Sequence, residues 1–541
     1  MAAMTPRPAA TLALLRDASG GPQVLMLQRT QSAAFLGGAY VFAGGALDAA
    51  DEDGRIVARV RGLSVPTPPV AYWVAAIREC FEEAGVLLAC DAQGQFISAE
   101  RAAELGRYRS RAFVELLQEQ DLYLPASELA YCGHWVTAPG RARRFDTRFF
   151  VARAPEGQAG SHDANETVDH LWITPREALE RANRGEIELV HATRETLNEL
   201  KNFATAGEAL RHVRALQEIE ENRACVALGK EGEKVFRRID PQYHEIHWSD
   251  PEETGTSTYD LVAGEPKRLD RWVTRLIAPN PGMMTGPGTN TYIVGENEHA
   301  VIDPGPDIAS HIEKILAFGN IKWILCTHTH MDHSPAAAAI KAATGAQLLG
   351  RPAPAGQGQD ASFKPDFVLE NGQRIDLGGI SLRAIHTPGH ASNHLCYLLE
   401  ATKMLFTGDH VMQGSTVVIN PPDGDMRAYL QSLEKLLDED IAIIAPGHGY
   451  LIGAPRKELR RLIAHRLARE QKVVKALVKI GPASVDELLP LVYDDVPVRI
   501  HRVAARSLTA HLEKLAADGA LVATRGTAGE RYSLVKSRTA G

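Results

Sequence analysis

The run WILCTHTHMDHSPAA, residues 323–337, passes from an apolar stretch into His328, His330, Asp332 and His333. Further along, HTPGHASNH holds His390, LFTGDHV holds Asp409 and IAPGHGY holds His448. Seven nitrogen and oxygen ligand candidates at four strand-like ends are hard to explain as structural residues alone. Imidazole and carboxylate donors suit Zn²⁺, with Mn²⁺ or Fe as alternatives. Two such ions bridged by a carboxylate and a hydroxide give a nucleophile at neutral pH, which is hydrolytic chemistry.

A second cluster lies in RECFEEAGV, residues 78–86, where Glu79, Glu82 and Glu83 stand at i, i+3 and i+4 and so share one helix face. Like charges so placed repel unless a cation compensates them. Mg²⁺ or Mn²⁺, which favour oxygen ligands and keep some of their waters, would polarise a phosphoanhydride and its attacking water. Downstream, Arg141, Arg143 and Arg144 in GRARRFDTRFF make either a phosphate clamp or a solvated basic loop, and Glu166 is a further candidate ligand or base.

These residues need elements to hold them. Strand-like runs (TLALL, QVLML, RFFVA, HLWIT) alternate with helical patterns to about residue 217, which predicts a first α/β unit over 1–217. Residues 218–268, rich in Gly, Pro and charge, read as a connector. A second α/β unit follows over 269–454, with His and Asp at its strand ends. From 455 to 541 the pattern is three helices and two short strands around a Gly turn, the outline of a winged helix. That last segment holds 17 Lys and Arg against 9 Asp and Glu, or +8, in a chain whose net charge is −8. It is a basic module on an acidic body. Six scattered cysteines without a CxxC pair predict free thiols, and no run of apolar residues is long enough to span a membrane, so the expected setting is the cytoplasm, with no membrane contact. Nothing in the sequence sets an oligomeric state.

Arg78 before the first glutamate and Gly85 after the last complete R-E-x-x-E-E-x-G, which resembles the second half of the Nudix box. The first half is similar to VFAGGALDAAD, with Gly45 and, six residues on, Asp51 in place of Glu; an insertion of 19 residues separates the halves. Such an interrupted box resembles the coenzyme A diphosphatase branch of the Nudix hydrolases. The resemblance implies an α/β/α sandwich and a small pyrophosphate substrate. It also implies Mg²⁺ or Mn²⁺ on Glu79, Glu82 and Glu83, with Glu82 and Glu83 catalytic. Ala43, where the family has Pro, and Asp51 depart from its pattern.

H-x-H-x-D-H with its downstream partners resembles the metallo-β-lactamase superfamily over about residues 270–453. That implies an αββα sandwich with one Zn²⁺ on His328, His330 and His390, a second on Asp332, His333 and His448, and Asp409 between them. Asp332 and Asp303 would serve catalysis, Asp303 by orienting the site from behind its ligands. NPGMMTGPGTNTYIVG, TPGHASNH and the C-terminal segment are similar to the β-lactamase-like endoribonuclease branch, which implies single-stranded RNA as substrate and Thr289, Asn290 and His394 along the cleft. Hydroxyacylglutathione hydrolases, which are thioesterases, share the same ligand pattern but end in a helical extension rather than a basic winged helix. A third expectation makes the winged helix or the Nudix unit a binding module that senses a nucleotide or coenzyme and regulates the metallohydrolase.

Overall fold

The computed structural model describes residues 4–31, 37–63, 67–162, 167–526 and 529–535. The chain divides into two compact units, residues 1–226 with 235–238 and 252–255, and residues 227–234 with 239–251 and 256–541. Among the described residues no helix is long and apolar enough to cross a membrane.

In the first unit the strand Arg7–Arg16 pairs in parallel with Phe145–Arg153 and antiparallel with Gln23–Arg29 and Ala43–Ala46. Successive side chains of a strand point to opposite faces. Leu12 and Leu14 therefore pack with Val74, Ile77 and Phe81 of helix α1 (Val70–Ala84), while Ala13 and Leu15 pack with Leu197, Leu210 and Val213 from helices on the other side. The result is the expected α/β/α sandwich. Helix α1 stops at Gly85, whose left-handed φ of 65° costs glycine little and lets its N–H donate to the Phe81 carbonyl. That stop leaves Arg78, Glu79, Glu82 and Glu83 on the last turns of the helix.

The second unit is built on two facing sheets. Tyr292 and Ile302 from one meet Leu382, Tyr397 and Phe406 from the other in the central core. Ile315, Ala336 and Ile340 cover one outer face. Helix α2 (Met426–Leu437) and the start of α3 (Pro455–Ile480) cover the other through Leu433, Leu459 and Leu462. This is the αββα arrangement. The strands His299–Ile302 and Ile321–Leu325 are parallel, as are Met404–Gly408 and Ile443–Pro446, and their C-terminal ends lead straight into Asp303, the 327–333 turn, Asp409 and His448.

The C-terminal segment forms the predicted helices and hairpin. The second half of α3 joins the helix Val485–Val492, α4 (His501–Ala517) and the strands Leu521–Gly526 and Gly529–Leu534 around Leu488, Leu508, Leu512 and Tyr532. A boundary at 454/455 nevertheless cuts through shared packing, because Leu459, Leu462 and Ala510 sit in the same core as Leu433 and Tyr429.

Residues 218–268 are not a loose connector. The helix Tyr243–Ser249 buries Glu245 completely, and its carboxylate accepts from Arg275 at 2.5 and 2.9 Å, from Lys267 at 2.7 Å and from the Leu451 N–H at 3.1 Å. Burial alone would raise this carboxyl, but the Arg275 and Lys267 charges overcome it and hold it at about 2. A carboxyl lowered on folding adds stability that is complete above its unfolded value of about 4.3 and is lost as the pH falls towards 2. Glu245→Gln, which leaves Arg275 buried without its counter-charge, is expected to destabilise the second unit by about 3 kcal/mol at pH 7 and to flatten its loss of stability between pH 4.5 and 2. Urea unfolding followed by hydrogen exchange of the strand Val273–Ile277 checks this; an unchanged midpoint would show that the pair does not hold the unit together.

Candidate metal centres

Three overlapping sets of donor atoms converge in the second unit: His328, His330 and His390; His328, His333 and Asp409; and Asp332, His333 and His448. Asp409 lies between the others, 3.5 Å from His333 Nε2, 3.3 Å from His448 Nε2 and 3.9 Å from His390 Nε2. His333 Nε2, His448 Nε2 and Asp409 Oδ1 are buried with no hydrogen-bond partner, a costly state for polar atoms unless a cation satisfies them.

The opposite ring nitrogens of four of the five histidines are engaged. His390 Nδ1 donates to the Val418 carbonyl at 2.7 Å and His448 Nδ1 to the Gly288 carbonyl at 3.2 Å. His333 Nδ1 donates to Asp303 at 2.9 Å. Thr327 spends its hydroxyl proton on Asp303 at 2.8 Å, so His328 Nδ1 must donate to Thr327 Oγ1 at 3.0 Å. With Nδ1 donating away from the site, each of these rings turns its Nε2 inward, the orientation that supports metal ligation. Burial, then the neighbouring imidazoles, hold His328 well below the usual imidazole range and His330 at about 4, so both are neutral. Burial would lower His448 too, but Asp409 and Asp332 raise it to about 9. Burial would raise Asp332 and Asp409, yet the nearby histidines keep both carboxylates ionised.

Asp303 has a left-handed backbone, φ 50°, which an aspartate tolerates better than most residues. Its carboxylate takes the Thr327 N–H at 2.7 Å besides Thr327 Oγ1 and His333. It therefore acts from behind the donor atoms.

Three other expected residues also lie behind the cleft rather than along it. Thr289 is buried, exchanges two hydrogen bonds with Asn280 and donates to Asp332 at 3.4 Å. The Asn290 amide donates to the Pro446 and Gly449 carbonyls at 3.0 and 2.9 Å, fixing the turn that carries His448. His394 is fully buried, stacks on His328 at 5.1 Å and bonds Thr387. These three are positioning residues, a correction to their expected contact with substrate. His330, Asp332, His390 and Asp409 instead face a pocket of about 180 Å³, walled by Met284, Gln357, Gln359, Val418, Asn420, Asp423 and Arg506. No sequence signal marked Arg506, which stands on α4 far from the ligand motifs.

In the first unit the glycine strand does sit beside the glutamates, despite the long insertion. The Gly44 N–H donates to Glu83 at 2.9 Å, and a side chain at Gly45 would come within 2.6 Å of the Glu79 carboxylate. Arg78 is the hub. It grips the fully buried Asp51 through two bonds of 2.8 and 2.9 Å and reaches Glu79 at 2.7 Å and Glu82 at 2.9 Å. Asp51 thus pairs with the box arginine. The structure does not converge Glu79, Glu82 and Glu83 as it does the histidine sets, since Arg78 holds two of them and Gly44 the third. Arg141 and Arg143 are exposed. Arg144 is not available to a phosphate: it is buried and spends its guanidinium on the Thr137 and Met4 carbonyls and on Glu253. Glu166 lies outside the described residues.

A Caenorhabditis elegans β-lactamase-like protein 2 homolog is 30% identical over 270 residues, 48% of this chain and 89% of that protein. The family model of the metallo-β-lactamase superfamily matches residues 284–448, which include all seven donors. The chain belongs to the metallo-β-lactamase superfamily. This member also carries a Nudix domain, matched by the NUDT19 Nudix domain model at residues 58–193, and a β-lactamase-associated winged helix domain at 484–528. An atrochrysone carboxyl ACP thioesterase of Aspergillus fumigatus is 31% identical over 269 residues, 46% of this chain and 81% of that protein. Among solved structures, a NUDIX hydrolase from Alicyclobacillus acidocaldarius is 28% identical, covering 38% of this chain and 96% of that one, with a TM-score of 0.35. The metallo-β-lactamase and Nudix families are hydrolases, and this member of both is a metal-dependent hydrolase.

Glu79 gives the Nudix site a testable titration. Burial pushes its carboxyl up to about 7 although Arg78 opposes the shift, so near neutrality an incoming cation must displace a proton. Mg²⁺ affinity, measured by calorimetry, is expected to be about tenfold higher at pH 8 than at pH 6, and Glu79→Gln to weaken that dependence. Equal wild-type affinities at the two pH values would remove Glu79 from the ion site.

Proposed function

We propose that the chain is a two-centre hydrolase whose metallo-β-lactamase unit cleaves a thioester and whose Nudix unit cleaves a pyrophosphate of coenzyme or nucleotide type. One centre would hold two Zn²⁺ ions, on His328, His330 and His390 and on Asp332, His333 and His448, with Asp409 between. The other would hold Mg²⁺ or Mn²⁺ on Glu79, Glu82 and Glu83. Such ions, when bound, supply Lewis acidity and lower the pKa of water. The orphaned Nε2 and carboxylate atoms of the first centre support a close fit to them.

The observation that carries the thioester reading is the wall of the pocket. Met284 and Val418 line it, and amides and Arg506 supply the polar side. Among the described residues no Phe, Tyr or Trp lines it, whereas single-stranded RNA is ordinarily held by bases stacked on aromatic side chains. Likeness to a named thioesterase supports the same reading. The chain's part in the reaction is then to bind and orient. His330, His390 and Asp409 face the scissile group, while Thr289 holds Asp332 at its Oδ2. Water replaces the thiol, releasing carboxylic acid and thiol. In the Nudix unit, Arg78 steadies Glu79 and Glu82, and Gly44 steadies Glu83. Six cysteines outside any disulfide favour a reducing cytoplasmic setting, and the domain limits we assign are 1–217, 269–454 and 455–541.

Purified protein loaded with Zn²⁺ and Mg²⁺ is expected to hydrolyse acyl thioesters and pyrophosphate compounds and to leave short single-stranded RNA intact. Asp332→Ala should lower thioester turnover by at least about a hundredfold and spare the pyrophosphatase, and Glu83→Gln should do the reverse. Cleavage of RNA without thioester turnover would replace this reading with the endoribonuclease one. Loss of pyrophosphatase in neither variant would recast the Nudix unit as a sensor.

A further inference from the structure

The metal pocket belongs to the strand ends, yet one of its walls comes from helix α4. Arg506 lines that pocket, is exposed, and makes no ion pair or hydrogen bond among the described residues. One turn earlier stands Arg502, and in the turn Val498–Ile500 ahead of the helix stands Arg499, both exposed and likewise unpaired among the described residues. Residues four apart on a helix share a face. The buried face of α4, with Leu508, His511, Leu512 and Leu515, is turned away from it. Two unpaired arginines therefore share one face of α4, the second of them at the metal pocket, and a third stands three residues ahead of them.

The position of this face is fixed. Ser507, next to Arg506, accepts the N–H of Ile419 at 3.2 Å, from the loop that also supplies Val418 and Asn420 to the pocket. Arg427 of α2 pairs with Asp518 just beyond the end of α4. Asp423, an acidic side chain of the same pocket, has its carboxylate taken by Ser392 and Gln359, each at 2.5 Å. Unpaired guanidinium groups about one turn apart suit an anion with several oxygens, and phosphate best of all.

We propose that Arg499, Arg502 and Arg506 bind the phosphate groups of the substrate's carrier portion, so that the thioester at its other end enters the metal pocket. The identity of the ester rests on the thioesterase reading; the anion row does not. The probes are hexanoyl-coenzyme A, which carries phosphates, and the hexanoyl thioester of N-acetylcysteamine, which carries none.

In the full metal-loaded chain, Arg506→Gln is expected to raise KM for the coenzyme A thioester about tenfold, and Arg502→Gln about threefold, losses several times larger than for the phosphate-free thioester. Arg506→Lys should recover part of the loss. Arg525→Gln, an equal charge change on the exposed hairpin, should alter neither substrate. Hydrogen exchange adds a readout independent of turnover: without Mg²⁺, coenzyme A should protect the amides of residues 498–512 in the wild-type chain and not in Arg506→Gln. Equal losses for both thioesters, or protection that persists in the variant or never appears, would overturn the proposal. Protection that needs Arg506 in a protein that hydrolyses no thioester would sustain the anion row and refute the thioesterase reading.

Discussion

Bringing five buried or half-buried imidazoles and two carboxylates within a few ångströms of one another is the most expensive thing this chain does. Stripping water from such groups costs several kcal/mol each unless partners replace it. Much of the second unit can be understood as the supply of those partners. Asp303 joins two elements at once, taking the backbone and hydroxyl of Thr327 and the imidazole of His333, and through Thr327 it fixes the tautomer of His328. Backbone carbonyls of Gly288 and Val418 do the same for His448 and His390. These bonds reach the site from different strands, so the donors are only oriented once both sheets have closed on their common core.

The same dependence extends backward along the chain. Glu245 belongs to a stretch without periodicity, yet its carboxylate meets the Leu451 N–H and, through Arg275, the Gly449 carbonyl, on the turn that presents His448. Asn290 ties that turn to the opposite sheet. A buried ion pair is weak evidence of net stability, because desolvation offsets attraction. Its contribution here is geometric: the second sheet's last strand end can hold only one position relative to the first.

Legibility in the sequence followed the range of the interactions. Spacing within a turn or a helix is local, so H-x-H-x-D-H and R-E-x-x-E-E-x-G announced their residues, and alternating apolar runs announced both α/β units. Long-range consequences did not show. Arg144 looked like its neighbours Arg141 and Arg143, and only the fold assigns it to Glu253 and two carbonyls. Thr289, Asn290 and His394 were expected along the cleft, but sequence alone does not distinguish lining a cleft from bracing it. Arg506 carried no motif at all, because its place beside the metal ligands depends on how α4 packs on the loop at Ile419. The segment 218–268 lacked periodicity because its structure answers to a buried charge network rather than to an apolar face.

The two centres meet like-charge repulsion in opposite ways. In the Nudix unit the cation is covalent: Arg78 lies among Asp51, Glu79 and Glu82 at hydrogen-bond distance, so its carboxylates have a fixed counter-charge before any ion arrives. In the metallo-β-lactamase unit no lysine or arginine bonds to any of the seven donors among the described residues, and the compensating charge is carried by protons on His333 and His448. An ion entering the first arrangement would share carboxylates with a guanidinium. An ion entering the second would displace labile protons from its imidazoles. The two clusters thus differ in where the compensating positive charge is stored.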